Sequence, residues 1–316
     1  MVRRKVERMG MPQVTNIFLA LFIFLSLSIY SFSIDKYSLN YKNQLRQIQI
    51  YNPFEIEVNE ETTFFIMNDG EELFDKNNSW NNKSWEIDKK LESASNKIIN
   101  KNIIIVAIDS IKNGNSIIDE TKRYVEFFPD EVINEFPNGF RKFAYTRIKN
   151  LYKNDYKLFI VNDVIPFVER KYNISLNENN LGIIGASMGA LAALNIAIEY
   201  PDLFGYVGAI STHWIGIKPI EYATLPLRKS IKGDKKTFQA IKNYIQKNTY
   251  KLKGKKLYFD YGTLGLDQNY DIPQTEINKL FDLNNINYKS IKFENHDHEA
   301  SFFGKRFIGV ISYLKN

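Results

Sequence analysis

The sequence contains no cysteine, which excludes disulfide bonds, thiolate metal sites and cysteine nucleophiles. It has three histidines among 316 residues, too few for a metal site built mainly from imidazoles. Excess positive charge is also small: the net charge is +6, and half of it lies in residues 1–33, so we expect no nucleic-acid partner. The hydrophobic content of 44% suffices for one sizeable core, and we predict a single domain over residues 35–316.

The N-terminal segment, residues 1–34, has the pattern of a targeting sequence. Met1–Gly10 carries four basic residues and one acidic residue, and Ile17–Ile34 is apolar and broken mainly by serines. Two interpretations remain open: a signal peptide cleaved near Ser31-Phe-Ser33, or a signal anchor that would attach the protein to a membrane through residues 17–34. Under both interpretations we expect an exported protein that is periplasmic, secreted or anchored facing outward.

Strand and helix patterns alternate along the remaining chain. Strands are predicted at residues 44–58, 62–68, 102–108, 206–210, 256–261 and 288–293, and helices at residues 156–172, 235–248, 272–283 and 301–314. Between them, a further short strand is predicted from Leu181, followed by a helix that stops before Pro201. Asp109–Glu131 is polar and is predicted to be irregular. This alternation predicts an α/β fold with a mostly parallel, doubly wound sheet and helices on both faces.

The most informative segment is Leu181–Tyr200, which contains a Gly-x-Ser-x-Gly motif. A short apolar run leads into the motif, and a helix rich in Ala and Leu follows it. The glycines at 185 and 189 would let strand and helix pack closely, which leaves Ser187 at the apex of a strained turn. This is the nucleophile elbow of an α/β-hydrolase, with a helix N-terminus behind it that favours negative charge.

A serine nucleophile needs a base, and the base needs an acid that orients it. In α/β-hydrolases the acid and then the histidine follow the serine along the chain. His296 and His298 lie after the last predicted strand, and either could be the base. The acid should follow the preceding strand, and we favour Asp267 over Asp260 and Asp271 because it lies in the loop beyond that strand. Asp271 instead fits a helix cap.

Acyl transfer also needs hydrogen-bond donors for the oxyanion. One should be the backbone N–H of Met188, the residue after the nucleophile. The other should come from the loop after the strand that ends at Asn68, which implies the backbone N–H of Gly70 or Glu71, and we favour Glu71. No metal or organic cofactor is expected, because a triad and two donors suffice for this chemistry.

Longer motifs along the chain resemble those of a known family. They are Gly185–Leu191, Tyr200–Gly205, Ser211–Trp214, Arg123–Pro129, Asp260–Thr263, Leu266–Tyr270, and Asn68–Asp75 with Asn68 in place of a family histidine. Together they resemble the putative-esterase family of α/β-hydrolases, which includes esterase D, feruloyl and siderophore esterases and mycolyltransferases. The resemblance covers nearly all of residues 50–315 and implies a serine carboxylic-ester hydrolase with an α/β-hydrolase fold.

The resemblance also distinguishes the two C-terminal histidines. The family's closing motif, which ends in an arginine, aligns without gaps on Phe293–Arg306 and places its histidine at His298. His296 falls where the family has a small residue. Two departures, Ala300 for a glutamate and Phe303 for a tryptophan, concern the pocket more than the triad. The predicted triad is therefore Ser187, His298 and Asp267.

Two residues after the elbow are candidates for the substrate pocket. His213 and Trp214 lie in a family segment that commonly carries an aromatic residue, and we expect them to line the acyl or leaving-group pocket. The expected substrate is a small-molecule or carbohydrate-linked ester. Two alternatives remain: an acyltransferase that uses the same triad on a carbohydrate hydroxyl, and a non-catalytic binding protein on a hydrolase scaffold.

Overall fold

The computed structural model describes residues 34–41, 44–78, 82–94, 101–111, 116–152, 155–216, 218, 221 and 232–315. The N-terminal segment that carries the export prediction lies outside the described residues except for Ile34, which begins the first strand. In the described ranges, no helix is both long and apolar enough to cross a membrane. The fold below therefore concerns the predicted catalytic domain.

Eight strands in the described part of the chain form one sheet, in the order β1-β2-β4-β3-β5-β6-β7-β8. They are β1 (Ile34–Tyr41), β2 (Gln44–Tyr51), β3 (Thr63–Asn68), β4 (Ile103–Ile108), β5 (Leu181–Ala186), β6 (Tyr206–Ile210), β7 (Lys256–Gly262) and β8 (Tyr288–Phe293). β1 and β2 pair antiparallel with each other, and β2 with β4, whereas every pair from β4 across to β8 is parallel. The predicted mostly parallel sheet is confirmed.

The central strands β3, β4 and β5 are buried at every position, which explains their unbroken apolar sequences. Parallel pairing brings the carboxyl ends of these strands to one edge of the sheet. Ala186 at the end of β5 pairs with Ile210 at the end of β6, and Ile210 pairs in turn with Asp260 on β7. Ligands of open α/β sheets bind outside this edge, and the candidate site lies there.

Helices connect the strands. They are α1 (Ile87–Ala94), α2 (Ile117–Phe127), α3 (Asp130–Asn134), α4 (Phe140–Tyr152), α5 (Tyr156–Phe159), α6 (Ile165–Tyr172), α7 (Met188–Glu199), α8 (Lys235–Asn248), α9 (Asp271–Leu283) and α10 (Ala300–Lys315). α7 packs against β5 and β6 and is buried at every residue from Met188 to Ile198, which accounts for its small and apolar composition. α10 packs against β6 and β7.

The segment Asp109–Glu131 differs from the prediction, because it contains α2 and the start of α3. Ser116 caps α2: its side chain accepts from the N–H of Asp119, and the Asp119 side chain accepts from the N–H of Ser116. The buried residues of α2 lie in its C-terminal half. Because the first half of the helix is polar, its sequence shows no helical spacing of apolar residues. The expectation of an irregular segment was wrong.

Candidate active site

Ser187 lies at the sharp turn between β5 and α7. Its φ of 55° and ψ of −121° form a conformation that residues with a side chain rarely adopt. The Ser187 N–H donates to the carbonyl of Ile210 at 2.9 Å, and the Ser187 carbonyl accepts from the N–H of His213 at 3.1 Å. A Cβ at Gly185 would clash with the carbonyl of Gly189, so this turn requires a glycine there.

His298 reaches Ser187 from the loop between β8 and α10. Its Nε2 lies 2.9 Å from the Oγ of Ser187, and its Nδ1 lies 2.5 Å from Oδ1 of Asp267. The imidazole is partly exposed, whereas the Asp267 carboxylate is completely buried. The structure thus brings together the three residues that the sequence selected as nucleophile, base and acid.

The second oxygen of the Asp267 carboxylate is also bound. Oδ2 accepts from the backbone N–H of Gly262 at 2.6 Å and from the hydroxyl of Ser211 at 2.6 Å. Burial raises the pKa of Asp267, but hydrogen bonds and charges from His298, Ser211 and Arg306 outweigh burial and lower the pKa below its ordinary value. The carboxylate is therefore ionised and rigidly placed where it faces the imidazole.

Arg306 on α10 lies behind this carboxylate and is buried. Its Nη2 donates to the Oγ of Ser211 at 2.8 Å, and its Nη1 lies 2.9 Å from Oδ1 of Asp260 and 3.7 Å from Oδ2 of Asp267. Burial raises the pKa of Asp260 to about 6, although the charge of Arg306 acts in the opposite direction. One guanidinium therefore balances two buried carboxylates.

The other candidates for acid and base have different contacts. Asp271 accepts from the hydroxyl of Tyr261 at 2.8 Å and pairs with Lys292. The ring of His296 stacks on Phe293, with centroids 5.2 Å apart. Across the ranges that the structure describes, no group of three or more His, Asp or Glu side chains is arranged to hold a metal ion.

The two predicted oxyanion donors lie on segments that border Ser187. Met188 is the first residue of α7, and N–H groups in a first helical turn have no carbonyl partner within the helix. Glu71 follows β3, and its carboxylate accepts from the N–H and hydroxyl of Ser110 at 2.9 and 2.5 Å. The end of β3, from which this loop starts, contacts the elbow, because Nδ2 of Asn68 donates to the carbonyl of Gly189 at 2.7 Å. The oxyanion role of both N–H groups stays a prediction.

Asn68, which departs from the family motif, fits this position. While its Nδ2 holds the first turn of α7, its Oδ1 accepts from the hydroxyl of Tyr156 at 2.7 Å. The next residue, Asp69, has a left-handed φ of 60° and receives two hydrogen bonds from Arg123 at 2.5 and 2.7 Å. The end of β3 and the loop after it are therefore fixed beside the elbow by buried polar contacts.

His213 and Trp214 are both buried. The Nε1 of Trp214 donates to the side chain of Gln274 at 2.9 Å, and the Nδ1 of His213 lies 2.9 Å from the hydroxyl of Tyr270. Burial, and then the charge of His298, lower the pKa of His213 to about 3, so this imidazole is neutral at ordinary pH. The two side chains are closed to solvent in this structure, and their contact with a substrate stays a prediction.

Several residues at this site had no role in the prediction. They are Asn68, Asp69, Arg123, Ser211, Tyr270 and Arg306. Each lies within one of the motifs that carried the family resemblance, and this was the available signal. The motifs did not show that these residues contact one another and the triad.

Comparison with known protein families gives a match over most of the chain. The sequence model of the family described as Putative esterase matches residues 40–313. The chain belongs to the putative esterase family. This is a family of carboxylic ester hydrolases, the class of enzyme that the sequence motifs predicted.

Among curated proteins, a protein described as uncharacterised shares part of the sequence. The protein YbbA of Bacillus subtilis (strain 168) is 30% identical over 99 residues, which are 28% of this chain and 40% of YbbA. The match thus spans less than half the length of that relative, which is itself described as uncharacterised.

Solved structures resemble the chain over most of its length. A ferulic acid esterase has a TM-score of 0.60 at 14% identity, covering 89% of this chain and 97% of its own. The BES protein from Bacillus cereus has a TM-score of 0.59 at 14% identity and 99% coverage of both chains. The enterobactin esterase FES from Shigella flexneri has a TM-score of 0.56 at 16% identity, covering 90% of this chain and 59% of its own. These likenesses confirm the predicted α/β-hydrolase fold.

Proposed function

We propose that the chain hydrolyses a carboxylic ester through an acyl-enzyme intermediate on Ser187. The observation that supports this function is the continuous hydrogen-bonded line from the Oγ of Ser187 through His298 to Asp267, at 2.9 and 2.5 Å. The strained backbone of Ser187 and its position before a helix N-terminus support the same role.

In the proposed reaction, the Oγ of Ser187 attacks the ester carbonyl while Nε2 of His298 takes the hydroxyl proton. Asp267 stabilises the imidazolium that forms, and the N–H groups of Met188 and Glu71 donate to the oxyanion. The tetrahedral intermediate then expels the alcohol, which receives the proton from His298, and the acyl-enzyme remains. Water attacks the acyl-enzyme with His298 again as the base, which releases the acid and regenerates Ser187. No metal or organic cofactor enters these steps.

The experiment that tests this function measures turnover on p-nitrophenyl esters of increasing chain length, followed by feruloyl, sugar-linked and trilactone esters. Wild-type protein should hydrolyse at least one class and react with a fluorophosphonate probe, whereas Ser187→Ala should do neither. Labelling or turnover that survives Ser187→Ala would overturn the mechanism. An added alcohol or sugar as acceptor would show whether the acyl group passes to water or to a carbohydrate hydroxyl.

A further inference from the structure

An ion pair joins α2 to the loop that carries the second predicted oxyanion donor. Asp69 is the first residue after β3 and lies two residues before Glu71, whose N–H is that donor. Nε and Nη2 of Arg123, on α2, donate to the two oxygens of the Asp69 carboxylate at 2.5 and 2.7 Å. The guanidinium also lies over the ring of Phe127, 5.2 Å from its centroid. Neither Asp69 nor Arg123 takes part in the proposed chemical steps.

The Asp69 carboxylate also lies against the first turn of the helix behind the nucleophile. A Cβ at Gly189 would lie only 2.8 Å from Oδ2 of Asp69, so the glycine leaves room for the carboxylate. Gly189 follows Met188, whose N–H is the first predicted donor, and its carbonyl accepts from Asn68 at 2.7 Å. The ion pair is therefore located where the two segments with the predicted oxyanion donors meet.

The backbone of this loop depends on Asp69. Its φ of 60° and ψ of 47° are left-handed, a conformation that Asp and Asn adopt more readily than most residues with a side chain. Its carbonyl accepts from the N–H of Glu72 at 2.9 Å, which closes a tight turn around Gly70 and Glu71. Two hydrogen bonds to one planar guanidinium fix the Asp69 side chain. Because the direction of the Glu71 N–H follows from this turn, Arg123 influences it through Asp69.

The charge of Arg123 has a second effect on the same site. The side chain of Asp69 is only 3% exposed, and that of Arg123 is 14% exposed. Without the guanidinium, a buried negative charge would lie beside the segments that must stabilise a negative oxyanion. With it the pair is neutral, and the first turn of α7 keeps its preference for negative charge.

We propose that Arg123 is a positioning residue for the oxyanion site. Through Asp69 it holds the loop that carries the Glu71 N–H against the first turn of α7, and it cancels the charge of Asp69 there. The inference rests on the proposed acyl-enzyme function. When Oγ of Ser187 bonds to the ester carbon, His298 takes the hydroxyl proton and the carbonyl electron pair moves to the carbonyl oxygen. The donors placed by the ion pair stabilise this oxygen.

The first test compares Arg123→Met with Arg141→Met in steady-state turnover of an activated ester. Arg141 is the control: it lies on α4 and pairs with Asp234, which caps α8. We expect Arg123→Met to lower kcat about 10- to 100-fold with KM nearly unchanged, because one oxyanion donor is displaced. Arg141→Met should keep kcat near that of wild type even if it unfolds at a lower temperature. Full kcat in Arg123→Met, or an equal loss in Arg141→Met, would overturn the inference.

A trifluoromethyl ketone gives a readout that a general loss of stability would not change. It adds to Ser187 as a tetrahedral adduct that carries an oxyanion, whereas the bound ester has no such charge. The affinity of Arg123→Met for the ketone should fall by the same factor as kcat. A loss of kcat with unchanged affinity for the ketone would contradict the proposed role.

Two further variants separate placement from charge. Arg123→Lys keeps the positive charge but loses the paired donors, so its kcat should lie between those of wild type and Arg123→Met. The double variant Arg123→Met with Asp69→Asn has no unpaired charge, and Asn also accepts the left-handed backbone, so its kcat should exceed that of Arg123→Met but stay below wild type. Full kcat in the double variant would overturn the inference even if Arg123→Met alone does not fold.

Failure of the inference can be distinguished from failure of the proposed function. If Ser187→Ala abolishes fluorophosphonate labelling while Arg123→Met has wild-type kcat, the inference fails and the proposed function stands. If Ser187→Ala is still labelled, the proposed function fails and the inference fails with it.

Discussion

Ser211 donates its hydroxyl to Oδ2 of Asp267 over 2.6 Å, while Oδ1 of the same carboxylate faces His298. The Ser211 oxygen in turn accepts from Arg306, and Ser211 has a left-handed φ of 45°. The orienting acid of the proposed triad is therefore held by a strained residue at the end of a neighbouring strand. Its placement depends on Ser211 and Arg306, which are both buried.

Removing this hydroxyl should slow catalysis. We expect Ser211→Ala to lower kcat by about 5- to 10-fold with KM unchanged, because one hydrogen bond to the Asp267 carboxylate is lost. Ser211→Gly is the matched control, since it loses the same hydroxyl but relaxes the positive φ. Steady-state kinetics should give the same loss for both variants. Full activity in Ser211→Gly would assign the effect to backbone strain instead.

Arg306 should matter for stability as well as activity. Arg306→Met leaves Asp260 and Asp267 buried without their shared cation, so we expect a loss of about 3–5 kcal/mol, or about 10 °C in the unfolding temperature. The double variant with Asp260→Asn should recover part of this loss, because it removes one of the two unpaired charges. Arg170→Met, an exposed control, should unfold near the wild-type temperature. No recovery in the double variant would contradict the account.

Substitutions of the two C-terminal histidines should differ clearly in their effect on activity. His298→Gln should lower kcat/KM by about 10²- to 10⁴-fold, because the general base is lost. His296→Gln should stay close to wild type, since the His296 ring packs on Phe293 and its backbone carbonyl, which binds the 263–264 turn, is unchanged. Steady-state turnover on one activated ester checks both variants. A larger loss for His296→Gln would reverse the assignment.

Asp109 should make stability depend on pH. Burial, and then the charge of Glu71, raise its pKa to about 7. A carboxyl with a raised folded pKa contributes its full stability below the unfolded pKa of about 4 and loses that contribution as the pH rises to about 7.

We therefore expect Asp109→Asn, which stays neutral, to match wild type near pH 4 and to unfold about 2–4 °C higher at pH 8. Thermal unfolding followed by circular dichroism at both pH values measures this difference. Glu60→Gln, at an exposed carboxylate, should show no such divergence. A variant that is no more stable than wild type at pH 8 would contradict the burial argument.

Much of the fold could be predicted because its central elements have simple patterns. β5 and α7 are buried along nearly their whole length, so their sequences are almost continuously apolar and the glycines around Ser187 stand out. The edge strand β1 was not predicted, because its alternating exposed positions carry ordinary polar residues. α4 was also missed: it exposes Phe140, Phe143 and Leu151, which blurs its helical period.

The site could be predicted only as far as its motifs reach. The Gly-x-Ser-x-Gly motif selected Ser187, the loop position favoured Asp267, and the family's closing motif distinguished His298 from His296. The supporting contacts, however, join residues far apart in sequence. Arg306 meets Asp260 and Ser211 because α10 packs against β6 and β7. No local sequence pattern predicts such a contact, so it becomes visible only in the folded structure.

The most direct test of the account is rapid quenching of the enzyme with an ester it turns over, followed by mass spectrometry of its peptides. The proposed mechanism predicts that the acyl mass appears on the peptide containing Ser187 within the first turnover and decays as the product acid forms. Turnover with no acyl adduct at Ser187, or with the adduct on another residue, would contradict it.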